Sequence, residues 1–245
     1  MKNVLFLGLT CFCFSLFAQS PNASQNTQNT YLNAQKAQQK GDLAMAKGYY
    51  LQAIADAPDY IPPYRDLARL YRDNAQLDSS ILLYQSLLEK NPRDLQTHQD
   101  LAAAFMMEAR YHDAITQYKA LLKHYPDFPA AFYGIAMAYF NLEQYSDAVL
   151  NSELAMRMYL SSKSNLNAAD ARMLAGKSYL ELNNFDKAIK YFKASKKHFQ
   201  GKPYFPFYLG LAYLGKGDKD KARQYFGQAE ALGYNIPSNY SQQLK

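Results

Sequence analysis

Tryptophan is absent from the 245 residues, and cysteine occurs only at Cys11 and Cys13. Both cysteines lie within the uncharged apolar run Val4–Phe17. If that run is removed, the remaining chain has no disulfide, no thiolate nucleophile and no cysteine-held metal. Its fold must then be stable through its core alone. Long apolar runs are also lacking: Val4–Phe17 is 14 residues, against about 20 for a bilayer-spanning helix. No glycine-rich phosphate loop and no serine nucleophile elbow is present. The four histidines, His98, His112, His124 and His198, stand at no metal-ligand spacing. These absences exclude the usual catalytic sets, so no enzyme, no cofactor and no metal is expected.

What the N-terminus has is the three-part plan of a secretory signal peptide. Lys2 supplies the positive start, Val4–Phe17 the apolar run, and Ala18 a small residue for cleavage. Residues 1–18 are therefore expected to direct export to a bacterial periplasm or cell surface. Thr10 and Phe12, flanking Cys11, do not fit a lipoprotein cleavage site. The polar, low-complexity stretch at residues 21–30 cannot bury much apolar area, so a flexible leader is expected at 19–26 and the start of the ordered chain near 27.

The chain then repeats itself. Pro58, Pro92 and Pro126 are 34 residues apart. Ahead of Pro92 stand Tyr64, Leu67, Ala68, Tyr71, Ser80, Tyr84 and Leu87; ahead of Pro126 stand His98, Leu101, Ala102, Phe105, Ala114, Tyr118 and Leu121. Weaker or proline-less copies follow the same phase. One carries Ala34, Ala37, Gly41, Ala46 and Tyr50; others carry Ile135 and Ala136, Ala175 and Gly176, and Leu209 and Gly210. Between the fourth and fifth copies the step is 40. Apolar residues recur at spacings of three and four, the pattern of amphipathic helices. Small residues such as Ala68, Gly176 and Gly210 permit close helix approach, and proline stops the second helix of a pair. A period of this length signals stacked helical units that share one continuous core.

These residues and this spacing resemble the tetratricopeptide repeat (TPR) family across residues 27–236. The resemblance implies an all-α fold, a right-handed solenoid of antiparallel helix pairs. Its six repeats would occupy 27–60, 61–94, 95–128, 129–162, 169–202 and 203–236. A polar loop insertion would fill 163–168 and a C-terminal tail 237–245. It also implies binding of a protein or peptide segment in a concave groove lined by the first helix of each pair. Groove-facing positions are then Arg65, Arg69 and Arg72; Gln99, Met106 and Met107; Tyr133, Met137 and Phe140; Met173, Lys177 and Leu180; and Tyr204, Phe207, Leu211 and Leu214. The arginines would orient an acidic flank of the partner, unless Asp66 and Asp73 neutralise them. The apolar stripe would bind the partner, unless tight packing or the C-terminal tail covers it. The lysine and asparagine pattern with which some TPR proteins clamp a C-terminal carboxylate is missing.

Net charge is −3 over residues 19–160 and +8 over 161–245. Lys187, Lys190, Lys193, Lys196 and Lys197 crowd one stretch of the basic part. They form either an ordinary solvated face or a surface for anionic membrane or an acidic partner. An exported protein has no nucleic-acid partner.

Overall fold

The computed structural model describes residues 23–244. The segment expected to be a signal peptide and both cysteines lie outside the described residues. Among the described residues the fold is all-α, with thirteen helices and no strand. The described residues divide into two compact units, with the boundary between Leu67 and Ala68, inside one helix.

In the first unit, α1 (Gln25–Gln39) pairs with α2 (Leu43–Asp56). The helix starts earlier than a flexible 19–26 leader allows. Ser24 caps it, its hydroxyl accepting from the Thr27 amide at 3.2 Å. Thr27 and Thr30 are buried, and the Thr30 hydroxyl donates to the Asn26 carbonyl at 3.1 Å. Polar composition suggested a leader; local capping and back-bonding make the segment helical. Ala34, Ala46, Tyr50 and Ala53 are fully buried. Tyr31 donates to Asp66 at 2.6 Å, and Tyr50 donates to Gln38 at 2.6 Å.

The helix α3 (Ile61–Asp73) carries the unit boundary. After it come α4 (Leu77–Lys90), α5 (Leu95–Met107), α6 (Tyr111–His124), α7 (Pro129–Asn141) and α8 (Tyr145–Ser161). The chain continues through α9 (Asn165–Glu181), α10 (Phe185–Ser195), a short 3-10 turn (Lys196–His198), α11 (Tyr204–Gly215), α12 (Lys219–Ala231) and α13 (Ser238–Gln243). From α4 to α12 each helix packs on its sequence neighbours. The small residues sit where one helix meets another. A Cβ added at Gly176 would come within 2.6 Å of the Phe192 ring, and one at Gly210 within 2.4 Å of Phe226. Gly134 receives Tyr118 in the same way. Ala114, Ala148, Ala188 and Ala222 are fully buried on the second helices.

The turns repeat as strictly as the core. Gly41, Ala75, Ala109, Glu143, Asn183 and Gly217 all have positive φ. In each, the amide one residue later closes a wide turn back to a carbonyl near the helix end, for example Arg110 to Phe105 at 2.9 Å. This is a left-handed helix stop, and only two of its six positions are glycine. Lys163 makes the same stop between α8 and α9, with Ser164 closing onto Tyr159 at 2.8 Å. The expected loop insertion at 163–168 is therefore corrected. Only Ser162–Ser164 connects the helices, and both α8 and α9 lengthen to 17 residues, with Ala168 fully buried.

Candidate functional site

The stripe Tyr133, Met137 and Phe140 follows i, i+4, i+7 on α7, so the three share a face. On α9, Asp170, Met173 and Lys177 share a face by the same rule, with Leu174 beside them. Tyr204 and Tyr208 stand one turn apart on α11, and Phe199 precedes that helix. Together with Asn141 these side chains enclose a recess of about 430 Å³. Met137 is exposed, Met173 is buried against the core, and the tyrosines are half-buried.

The electrostatics of the recess are uneven. Lys177 Nζ lies 4.8 Å from the centre of the Phe140 ring and 5.2 Å from that of Tyr208, a cation held between two aromatic faces. Asp170 is half-buried, and its carboxylate makes no hydrogen bond or ion pair among the described residues. Burial pushes its pKa up, against a smaller opposing pull from His198. Tyr133 is raised to about 12 by burial and then by the Asp170 charge, and Tyr204 is raised for the same two reasons.

The other expected groove residues fare differently. Phe207 belongs to the core, not to the recess. It is 7% exposed, stacks on Tyr234 at 4.5 Å between ring centres, and meets Tyr240 edge-on at 5.9 Å. The phase slipped by one position: i+4 from Tyr204 is Tyr208, which lines the recess, whereas i+3 is Phe207. Leu180, Leu211 and Leu214 line a separate recess of about 260 Å³, with Tyr240 and Gln243 of α13 also on its wall. Here the C-terminal tail stands beside the stripe. Met106 packs against Ile115, Ile135 and Ala138, while Met107 is 57% exposed and Gln99 half-buried.

The arginine stripe is largely engaged within the chain. Asp100 accepts from Arg69 Nε at 3.2 Å and from Arg72 Nη1 at 2.9 Å, and Arg72 also reaches Asp73 at 3.0 Å. Asp73 was expected to neutralise the stripe and does pair with Arg72; Asp100, one repeat later, also engages Arg69 and Arg72, which spacing within a helix could not reveal. Arg65 is half-buried. Lys187, Lys190, Lys193, Lys196 and Lys197 are all exposed. Lys187 lies over Tyr179 and Lys193 over Tyr213. Lys196 and Lys197 belong to the 3-10 turn, beyond α10.

Buried His98 is structural. Its Nε2 bonds the Pro92 carbonyl at 2.9 Å and its Nδ1 meets the Gln117 amide. No metal-competent cluster occurs among the described residues, and no helix there is long and apolar enough to cross a membrane.

Sequence reasoning missed Asp170, Leu174, Phe199, Tyr208 and Asn141. Asp170 was findable, seven residues before Lys177 on one stripe of the fifth repeat's first helix, but the groove positions expected on that helix began at Met173.

Comparison with curated proteins finds no match. Among solved structures, a tetratricopeptide repeat protein from Parabacteroides merdae is similar at a TM-score of 0.69 and 16% identity, covering 90% of this chain and 98% of that one. PilW, a widely conserved type IV pilus biogenesis factor, is similar at 0.67 and 15% identity, covering 91% and 98%. YrrB, described as a TPR protein with an unusual peptide-binding site, is similar at 0.60 and 19% identity, covering 75% and 92%. At such identities these likenesses show the fold. The tetratricopeptide repeat family pattern itself matches residues 100–159, 161–203 and 173–236, more than half of the chain. By helix pairing, period and pattern together, the chain belongs to the tetratricopeptide repeat family.

Proposed function

We propose that the protein is an exported adaptor that holds a segment of another protein in the recess between α7, α9 and α11, with no chemistry of its own. One observation carries this reading. Tyr133, Met137, Phe140, Met173 and Tyr204 are scattered over three repeats, yet they line a single recess. Aromatic rings give large contact area, and methionine adapts to partners of several shapes. TPR folds commonly bind proteins or peptides, and the similarity to YrrB is consistent with such a role. Export rests on the sequence pattern of residues 1–18 alone. A mature N-terminus near Gln19, by mass analysis of protein outside the cytoplasm, is the expected result; intact Met1 on cytosolic protein would contradict it.

The binding test uses Met137→Glu. Met137 is 38% exposed, so the substitution is expected to leave helicity unchanged while abolishing capture of the wild-type partner from an envelope extract. Capture at the wild-type level by a folded variant would refute the recess as the binding site.

A second reading has an observation of its own. The five lysines from Lys187 to Lys197 are all exposed. A peripheral component of an envelope complex could use them against anionic membrane or an acidic partner. Flotation with anionic liposomes, lost on lysine-to-glutamine replacement, is what that reading expects; no flotation of the wild-type protein would remove the membrane.

A further inference from the structure

The recess carries a charge pattern that the sequence alone did not suggest. Asp170 and Lys177 lie two turns apart on one face of α9, about 10 Å along the axis. The cation is satisfied, lodged between Phe140 and Tyr208. The anion is not. Asp170 lines the recess without an ion pair or hydrogen bond to its carboxylate, and its burial penalises the charge it carries. His198 acts on it only from a distance and makes no ion pair with it. A half-buried carboxylate left alone among aromatic rings is costly unless a cation arrives.

We infer that the recess receives a basic side chain, lysine or arginine, of the partner segment beside the Asp170 carboxylate. The inference rests on the recess being the docking surface. Tyr133 and Tyr204 both feel the Asp170 charge, so an incoming cation would meet carboxylate and aromatic faces together. Lys177 shows the wall already holding one cation in this way. Apolar neighbours of the basic residue would contact Met137 and Met173. This basic flank is distinct from the acidic one expected beside the arginines of α3, two of which, Arg69 and Arg72, are engaged by Asp100.

The test reads the methionine methyl resonances of the intact chain while it is titrated with three capped tripeptides. These have leucine at both ends and lysine, glutamine or glutamate between. The lysine peptide is expected to shift Met137 and Met173 at a concentration about tenfold lower than either other peptide, the scale of a partly desolvated charge pair. Asp170→Asn should reduce the lysine peptide to the level of the glutamine one. Asp170→Glu should retain the preference, which separates loss of charge from loss of fold. Equal or tighter binding of the glutamate peptide overturns the inference, as does a lysine preference that survives Asp170→Asn, or no shift with any peptide. Two of these outcomes leave the docking surface itself standing if Met137→Glu still loses partner capture. If that variant keeps capture, the docking reading has failed as well.

Discussion

At the scale of single residues, the same substitution should act in opposite directions according to what lies above the glycine. Gly176 lies beneath Phe192, so Gly176→Ala forces the ring or the helix to move and should cost roughly 1–3 kcal/mol. Gly48, inside α2, has nothing within 4 Å of an added Cβ. Gly48→Ala should instead stabilise by about 0.5–1 kcal/mol through helix propensity. Urea unfolding followed by circular dichroism measures both, with equal effects counting against the close packing described. A second residue-scale effect is set by pH. Burial disfavours the charge on Glu153, but donation from Tyr191 at 2.5 Å and Tyr179 at 2.7 Å, together with the charges of Arg157 and Lys187, outweighs it, and the pKa is lowered. A carboxyl lowered by folding contributes stability that is present above its unfolded pKa, about 4.3, and lost as pH falls through the folded value. Melting temperatures between pH 6 and pH 3 should therefore fall more steeply in the wild type than in Glu153→Gln. Parallel curves would mean that the two tyrosines do not hold the carboxylate.

At the scale of elements, the span between the fourth and fifth repeats separates two readings. A loop at 163–168 would tolerate deletion, since surface loops absorb length changes at small cost. Instead Lys163 and Ser164 make the left-handed stop, and residues 165–168 are the first turn of α9, with Ala168 buried. Deleting 163–168 should abolish the cooperative melt of residues 68–245, and a variant that melts within a few degrees of wild type would restore the loop. The helices themselves were legible because their apolar residues recur at three and four, and small residues such as Gly210 marked the crossings. The turns were not, because Ala75, Ala109, Glu143 and Lys163 take a conformation that composition assigns to glycine. The recess was half legible. Tyr133, Met137, Phe140 and Met173 followed from the phase of α7 and α9. Phe207 failed because one step of 100° on α11 turns a groove residue into a core residue, and Asp170 was missed because it lies one turn before Met173, where the expected stripe on α9 began.

At the scale of the molecule, the chain after α12 folds back onto the α11–α12 pair. Tyr234 and Tyr240 lie on Phe207, and Tyr240 also meets Phe226. A helix pair of a solenoid needs its inner face covered, and here residues 234–240 cover part of it. Removing residues 234–245 should expose Phe207, lower the melting temperature and raise binding of a hydrophobic dye. An unchanged melt and dye signal would show that the last pair is self-sufficient.

The neighbour-to-neighbour packing of α4 through α12 also has a consequence in time. No helix in this stretch waits for a distant segment before it can be covered; its principal partners are the helices made just before and just after it. Such local pairing favours rapid folding and lets structure accumulate in the order of synthesis. The aromatic rings Phe192 and Phe226 each find their glycine in the helix made immediately before. A chain stalled at the end of α10 therefore has most of its joints already closed, and each further pair emerges onto a surface already prepared to receive it.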